Sequence, residues 1–490
     1  MRRAASGDAD ALSAGSADEE ELKARESVSF RTAQISADGI QADADKEFLE
    51  LEEERQPEAE GEKPLITDCE EFRQRLPVLG GAHFKASQIW PFVKDAIGKD
   101  LTTISLPVFI NEPLTTLQKS AELFCYSDEF FSQAVKEESS AKRMVYVAAY
   151  ALATYCLVKG RTQKPFNPLL GETYELVTPA YRYLSELVSH HPPVLAVNCQ
   201  GEGWEVNKNA QTIIKFTGRQ VSVEDPNLTT LDLYPVSCQK SKVKKETYTM
   251  SNPKICVGNL IIGERYIEPQ GPALIENKWT GDTCALDFKI RGGWLSTQAA
   301  NIHAVEGVVR NAEGQEKFRL TGKYSSEIVA EDLTTGEKWT VFKAPAVPED
   351  AAAMHQMGFF SLQLNLLPPA LEAKLPPTDS RLRKDVRAWE HSDLEAAQAE
   401  KYRLETNQRA RRKEVKELLK RDGVEMNMYD EQSFYQPRFF DKQTLGTDSA
   451  GKPRYMYRPK PGNYYWQKRE ERDWSGVPHI FEDECQPFYK

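Results

Sequence analysis

The alternation of apolar and polar residues divides the chain into a helical part and a long β part. Residues 115–123 and 128–136 have helical spacing, and 141–158 is an Ala-rich stretch that predicts a buried helix. From about 174 to 342 the pattern changes to short alternating segments separated by turn residues. More than ten such strands predict a long antiparallel meander that closes or nearly closes into a barrel, whose interior would be too wide for side chains alone to fill.

Two further regions flank this meander. Residues 380–421 are highly charged with helical spacing and end at Asp422-Gly423, which predicts a long solvated helix. The tail from 431 to 490 is rich in aromatic residues and proline, and we expect it to cover the outside of the barrel as packed irregular structure. Ahead of the meander, residues 72–101 are amphipathic, which predicts either a docked helix or a mobile apolar flap.

The net charge is concentrated at the start of the chain. Residues 1–62 hold 18 acidic and 7 basic residues, which accounts for the whole formal net charge of −11. This segment has no periodic apolar face, so we expect it to be disordered. The remainder is balanced in charge, which argues against a broad surface that binds nucleic acid.

The spacing of the cysteines and the length of the apolar runs limit the class of protein to which the chain can belong. The eight cysteines include no Cys-x-x-Cys pair, which argues against a zinc site or a disulfide framework and favours the reduced thiols of the cytosol. The longest uncharged, mostly apolar run, 144–158, has 15 residues, short of the roughly 20 that span a bilayer. The chain contains no nucleophile elbow, phosphate-binding glycine loop or dinucleotide fingerprint, so we predict no enzyme, no catalytic residue, no metal and no cofactor.

Residues 186–193 read Glu-Leu-Val-Ser-His-His-Pro-Pro and follow a strand-like alternation. Neighbouring side chains of a strand point to opposite faces, so both histidines can serve one ligand only where the strand ends or bends. The two prolines supply that ending, because neither can donate a hydrogen bond to the sheet. A surface pair of histidines is the alternative, and the rest of the chain has to decide between them.

This segment resembles the signature octapeptide of the oxysterol-binding proteins, with Leu187 in place of Gln as the only departure. Residues 106–114 are similar to a further stretch of that family. Residues 164–172 match its Lys-Pro-x-Asn-Pro-x-Leu-Gly-Glu pattern throughout. Two prolines and a glycine predict a rigid turn here, which would hold Lys164 in place.

The resemblance implies a mainly β fold with added α structure: a large, nearly closed antiparallel β-barrel around a lipid tunnel. Residues 63–490 would form one lipid-binding and transfer domain after the disordered segment 1–62. Its parts would be a lid and entrance segment (72–105), a helical layer (106–165), the barrel (166–375) and a C-terminal subdomain with a long charged helix (376–490). Apolar lid contacts to the lipid are expected from Ile89, Trp90, Phe92, Val93 and Ile97.

The resemblance also implies a site for a phosphoinositide headgroup. A multiply anionic headgroup needs several N–H donors that converge from different elements. Within the charged helix, Lys401, Glu405 and Arg409 lie at i, i+4 and i+8 and match the family pattern, although a solvated salt-bridge face is the usual reason for such spacing. The expected ligand residues are Lys164, Asn167, His190, His191, Lys401, Glu405 and Arg409.

The function implied is the exchange of a sterol or similar lipid for phosphatidylinositol 4-phosphate between membranes, through one tunnel and without catalysis. Two alternatives stay open: exchange of phosphatidylserine for phosphatidylinositol 4-phosphate, and a phosphoinositide sensor or scaffold that transfers nothing. The protein is expected to be cytosolic and to touch membranes transiently at membrane contact sites. Residues 43–53 loosely resemble a motif for VAP receptors of the endoplasmic reticulum. About 70 mostly acidic residues ahead of the lipid domain would imply a short form without a pleckstrin-homology domain.

Overall fold

Three helices lead into the sheet, and their positions match the apolar spacing of the sequence. In the computed structural model they are α1 (Thr116–Glu122), α2 (Ser127–Lys136) and α3 (Ser140–Ala153), followed by a 3-10 turn (Thr154–Val158). A capping box begins α1, because Thr115 and Gln118 each accept a hydrogen bond from the other's backbone N–H. The structure describes residues 65–80, 106–216, 220–238, 245–259, 265–291, 301–423, 435–447 and 453–483.

The central sheet is antiparallel and contains fifteen strands among the described residues. Its strands are β3 (Thr173–Val177), β4 (Tyr181–His190), β5 (Pro193–Gly201), β6 (Trp204–Gln211), β7 (Ile213–Phe216), β8 (Val221–Glu224), β9 (Thr229–Leu233), β10 (Glu246–Met250), β11 (Lys254–Gly258), β12 (Tyr266–Asn277), β13 (Thr283–Phe288), β14 (Ala304–Arg310), β15 (Glu316–Lys323), β16 (Glu327–Asp332) and β17 (Lys338–Lys343). A short parallel pair, β1 (Asn111–Thr115) and β2 (Lys164–Phe166), lies before it.

The strands follow one another as the meander predicts. The main path runs β17-β16-β15-β14-β13-β12-β10-β9-β6-β5-β4-β3, while β7, β8 and β11 form a side branch on β12. The mainly β prediction is confirmed. Within the described residues the two end strands of the path, β3 and β17, do not pair with each other, so closure into a barrel stays a proposal.

One large core joins the helical layer to one face of the sheet. Phe131 of α2 packs against Tyr150 of α3 and Trp204 of β6, with ring centroids 4.5 and 5.1 Å apart. Tyr183, a strand residue of this face, is fully buried in the same cluster. The alternating residues of the strands therefore separate an interior face from an outer face, as period-2 patterning requires.

The chain after the sheet differs in part from the sequence prediction. The last strand of the central sheet ends at Lys343. Residues 344–375, expected in the barrel, contain a 3-10 helix (Ala351–Met354) and two short helices, α4 (Phe359–Gln363) and α5 (Pro369–Glu372). The charged region 380–421 is not one helix. It divides into a 3-10 turn (Ser380–Leu382), α6 (Lys384–Glu390) and α7 (Leu394–Arg421).

The C-terminal region covers the outer face of the sheet. It contains a hairpin, β18 (Phe440–Thr447) and β19 (Pro453–Pro459), and a helix, α8 (Tyr464–Glu471), where we expected irregular structure. Its aromatic residues form a second apolar cluster with Leu184, Val188, Val194 and Ala196 of β4 and β5. The expectation that the aromatic tail packs on the outside of the sheet therefore agrees with the structure.

Several predictions concern residues outside the described ranges. They are the disordered segment 1–62, the receptor motif at 43–53, and the lid residues Ile89, Trp90, Phe92, Val93 and Ile97. These stay predictions from sequence.

Candidate anion-binding site

The turn that carries Lys164 and Asn167 is fixed by buried charge. The Arg383 guanidinium donates to the carbonyl oxygen of Asn167 (2.8 Å) and to the Glu172 carboxylate (3.0 Å). Glu172 also accepts from the backbone N–H of Leu169 (2.8 Å) and the Ser380 hydroxyl (2.7 Å). Since burial raises the pKa of Glu172, the arginine beside it is what favours the ionised carboxylate. The turn, whose prolines already predict rigidity, is therefore also held by the buried Arg383–Glu172 ion pair.

Lys164 projects from this turn toward the charged helix. Its ammonium donates to the side-chain oxygen of Asn167, 3.3 Å away. Burial and the neighbouring positive charge of Lys401 lower the pKa of Lys164 to about 8, while the Glu405 carboxylate acts in the opposite direction. Two cations and one carboxylate therefore lie close together, an arrangement whose net positive charge favours an added anion.

The two histidines lie at a break between strands, as the prolines predict. Strand β4 ends at His190, β5 begins at Pro193, and the His191–Pro192 peptide bond in the turn is cis. The imidazole rings are perpendicular, with centroids 4.5 Å apart. Both rings therefore sit at the same end of the sheet.

A β-bulge decides which way His190 points. Leu187 pairs with Leu195, but Ser189 pairs with Val194 and His190 with Pro193, so β4 has one residue more than β5 in this interval. Directly opposed residues share a face, so the extra residue moves His190 to the face opposite to the one it would occupy in an unbroken strand. The sequence contains no visible signal for this bulge, because it depends on the partner strand.

His190 is neutral near pH 7. Burial, the adjacent His191 and the positive charge of Arg412 lower its pKa to about 3, and Glu405 opposes them. A neutral imidazole offers one N–H donor. A bound anion would raise the pKa of His190 and favour a second proton on the ring, which would add a second N–H donor.

Helix α7 presents Lys401, Glu405 and Arg409 on one face, as their spacing predicts. Lys401 is only 5% exposed, and its ammonium lies 2.5 Å from Glu405. Arg409 is about half exposed and reaches Glu405 only at 3.9 Å. The Lys401–Glu405 pair is buried, so it is not the solvated salt bridge that is the usual reason for this spacing. Arg409, by contrast, does fit a solvated salt bridge.

The structure thus brings Lys164, His190, His191, Lys401 and Glu405 together, with Asn167 beside Lys164. Among the contacts that the structure describes at this site, Arg409 reaches the group only through Glu405.

Arg412 is the residue that the sequence analysis missed. Its charge acts on His190, and it lies on α7 at i+7 from Glu405 and i+11 from Lys401. Both spacings keep it on the same helical face. The signal was present in the sequence, because a step of three residues from Arg409 reaches Arg412 on the same helical face, although a further step of four reaches Lys413 instead.

Two backbone contacts dock α7 against the segments that carry the other ligand residues. The side-chain oxygen of Gln408 accepts from the backbone N–H of Leu170 at 3.1 Å, and that of Gln398 accepts from Val108 at 3.0 Å. The charged face of the helix is therefore held in register with the Lys164 turn.

The first two residues of the octapeptide have structural roles. Glu186 is buried and accepts hydrogen bonds from the Tyr435 hydroxyl (2.8 Å) and the backbone N–H groups of Arg438 (2.8 Å) and Phe439 (3.0 Å). It thus attaches the C-terminal region to the sheet. Leu187, the departure from the family signature, is fully buried in the large core with Tyr183 and Leu195.

Within the described ranges, no group of three or more His, Cys, Asp or Glu side chains is arranged to hold a metal ion. None of the helices in those ranges is both long and apolar enough to cross a bilayer. The chemistry that the site does offer is electrostatic: converging N–H donors for an anion.

Comparison with known proteins identifies the family. The model of the oxysterol-binding protein family matches residues 88–470. The chain is 36% identical over 416 residues to oxysterol-binding protein-related protein 1C of Arabidopsis thaliana, covering 81% of this chain and 46% of that protein. It is 32% identical to oxysterol-binding protein homolog 1 of Saccharomyces cerevisiae, covering 80% of this chain and 33% of that protein. The chain therefore spans half or less of the length of these two relatives.

Solved structures agree. The Osh1 ORD domain in complex with ergosterol has a TM-score of 0.71 and 30% identity, covering 83% of this chain and 93% of that one. The Osh3 ORD of Saccharomyces cerevisiae in complex with PI(4)P has a TM-score of 0.67 and 26% identity, covering 84% and 99%. This chain belongs to the oxysterol-binding protein family.

Proposed function

We propose that this protein binds a sterol, or a similar lipid, and phosphatidylinositol 4-phosphate in one apolar tunnel and exchanges them between membranes without catalysing a reaction. The observation that carries the proposal is the convergence of Lys164, His190 and Lys401 from three distant segments. Complexes of structural neighbours with ergosterol, cholesterol and PI(4)P support it.

The headgroup would bind where these segments meet. Lys164, Lys401 and Arg409 would supply charge, His190 and His191 would donate hydrogen bonds to a phosphate, and Asn167 would add an amide. Glu405 would hold the cations in position and reduce their mutual repulsion. A phosphate held by several charge-assisted hydrogen bonds offsets the cost of removing it from water.

The acyl or sterol part would occupy the interior of the sheet. We infer that the sheet curls into a nearly closed barrel whose interior face lines the tunnel, with residues 72–105 as the lid. Removing lipid surface from water yields about 25 cal/mol per Å², so a few hundred Å² stabilise the complex by several kcal/mol. Because one interior serves both lipids, they would compete.

The decisive experiment measures lipid extraction from liposomes by a variant with both His190→Ala and His191→Ala. We expect loss of phosphatidylinositol 4-phosphate extraction and retention of sterol extraction, because only the headgroup needs the imidazoles. His391→Ala, at an exposed histidine directly after α6, is the matched control. Equal loss of both lipids in the double variant would contradict separate sites for headgroup and apolar body.

Two alternatives remain distinguishable by experiment. A phosphatidylserine carrier shares the headgroup site, and mass spectrometry of co-purified lipids would identify the second lipid. A sensor or scaffold would bind phosphatidylinositol 4-phosphate but move no lipid between two liposome populations. A receptor contact through residues 43–53 would appear as binding to a VAP-type protein that is lost when this segment is deleted.

A further inference from the structure

A crevice of about 300 Å³ lies on the outer face of the sheet, away from the histidines. Its floor is formed by outward residues of β4, β5 and β6, among them Gln200 and Glu205. Its wall is formed by residues 458–466, from the end of β19 to the start of α8. We call it the outer crevice. Its volume is at the lower end of the range for small-molecule sites.

The outer crevice is distant from the His190 site. Gln200 pairs with Glu205 next to the β5–β6 turn, whereas Pro193 pairs with His190 at the other end of β5. Seven residues of strand separate the two ends, or roughly 20 Å at about 3.3 Å per residue. A single headgroup cannot reach both places.

Two cations in the outer crevice have no carboxylate at ion-pair distance among the residues that the structure describes. They are Arg458 and Lys460, and both are half-buried. The Lys460 ammonium lies over the ring of Tyr464, 5.9 Å from the ring centroid. Two positive charges with no carboxylate at ion-pair distance favour an anion at this end of the crevice.

The opposite side of the crevice is neutral or acidic and rigid. Glu205 accepts from the side-chain amides of Asn198 (2.9 Å) and Asn207 (3.0 Å). Gln200 accepts from the Arg182 guanidinium at 2.9 Å. A fixed carboxylate beside an amide is the arrangement that accepts hydrogen bonds from hydroxyl groups of a ligand.

Aromatic side chains complete the wall. The Arg182 guanidinium lies over Trp466, 5.2 Å from the ring centroid, and also donates to the Asn463 side chain at 2.9 Å. Tyr464 is 40% exposed, and the Lys460 and Lys468 ammonium groups lie over its ring, 5.9 and 5.5 Å from its centroid. The crevice therefore combines a cationic end, a hydroxyl-binding side and an aromatic wall.

We propose that the outer crevice is a second binding site, specific for a phosphate monoester on a hydroxylated ring, with Arg458 and Lys460 binding the phosphate and Glu205 binding ring hydroxyls. Sugar phosphates and inositol phosphates have this chemistry, either free in solution or as a lipid headgroup. The site is independent of the lipid tunnel and of the proposed exchange.

The test is isothermal titration of the full chain with glucose 6-phosphate, inositol 1-phosphate, glucose and inorganic phosphate. We expect saturable binding of the two sugar phosphates, weaker binding of inorganic phosphate and none of glucose. Arg458→Gln and Lys460→Gln should each weaken binding by about tenfold or more. Arg454→Gln, at an exposed arginine of the same strand, should bind as the wild type does.

A parallel measurement distinguishes the two sources of the phosphate. If only vesicles that contain phosphatidylinositol 4-phosphate are bound, and Arg458→Gln reduces that binding in the His190→Ala, His191→Ala background, the ligand is a lipid headgroup. If soluble sugar phosphates bind, the ligand is free.

The proposal is overturned if neither soluble phosphates nor vesicles bind in a manner that depends on Arg458 and Lys460. It is also overturned if soluble binding disappears in the histidine double variant but survives Arg458→Gln. Protection of Lys460 from acetylation by inositol 1-phosphate in the unmutated protein gives a readout that does not depend on how the variants fold.

Discussion

Lys164 is the residue whose protonation should set the pH dependence of headgroup binding. Its pKa of about 8 means that its charge is complete well below pH 8 and is lost as the pH rises through 8. An anion stabilises the protonated form, so affinity should fall above about pH 8, by at most tenfold per pH unit for this one group.

Lys164→Arg should remove this alkaline fall, because arginine stays charged throughout the range. The measurement is the affinity for phosphatidylinositol 4-phosphate liposomes between pH 6.5 and 9.5. Lys413→Arg, at an exposed position of α7, should keep the wild-type profile. Titration of the lipid phosphate is common to all three proteins and cancels in the comparison. An alkaline fall that persists in Lys164→Arg would exclude Lys164 as its origin.

Leu187 is a core residue rather than part of the anion site. It has no exposed surface and lies in the cluster with Tyr183 and Leu195. Leu187→Gln, which restores the family octapeptide, would bury an amide among apolar side chains and should lower the free energy of unfolding by about 1–3 kcal/mol. Urea unfolding measures this, with the volume-conserving Leu187→Met as control. Unchanged stability of Leu187→Gln would mean that the amide finds polar partners.

At the scale of elements, local signals predicted more than non-local ones. The i, i+4, i+8 spacing predicted the shared helical face of Lys401 and Glu405, and the prolines at 165 and 168 predicted the rigid turn that carries Lys164, because helix faces and rigid turns are short-range properties. The bulge that turns His190 arises from register with β5, and the anchoring of Glu186 involves residues some 250 positions away. Neither leaves a local trace in the sequence.

The break between α6 and α7 did have a local signal. Ser392 has a positive φ, and the Asp393 side chain accepts from the backbone N–H of Ala396 as an N-cap. An aspartate three residues before an alanine-rich run is a recognisable helix start. Asp393 is nevertheless hard to recognise as one, because the residues on both sides of it are also charged and compatible with a helix.

Arg412 of helix α7 should lower the pKa of His190. The arginine's positive charge disfavours the imidazolium, so Arg412→Gln should raise the pKa of His190 from its low value of about 3. Loss of the same cation should weaken phosphatidylinositol 4-phosphate binding several-fold. Titration of the histidine resonances by NMR measures the pKa directly. Arg409→Gln, at the more exposed arginine, should change the His190 pKa less, and an equal change in both variants would contradict the special position of Arg412.

At the scale of the whole molecule, the sequence predicted a mainly β meander with a helical layer, but not how its ends are joined. Arg469 of α8 is 2% exposed and donates to Glu175 of β3 (2.7 Å) and to Asp68 (2.5 Å). The Tyr465 hydroxyl also donates to Glu175, at 2.8 Å. Residues about 400 positions apart thus meet on the edge strand of the sheet, and pairing of this kind between distant charges cannot be inferred from spacing.

Arg469→Met should therefore destabilise the protein by about 3–5 kcal/mol near neutral pH, because it leaves a buried carboxylate without its main counter-charge. Burial already raises the pKa of Glu175, with Arg469 and Arg381 opposing it. Loss of Arg469 raises that pKa further, so the loss of stability should shrink as the pH falls and Glu175 is protonated.

Urea unfolding at pH 7.5 and 5 measures both effects, with the exposed Arg472→Met as control. Adding Glu175→Gln to Arg469→Met should recover part of the loss, because the amide carries no charge. A deficit that is independent of pH and is not reduced by Glu175→Gln would mean that Arg469 stabilises the fold by its apolar contacts and not by pairing with Glu175.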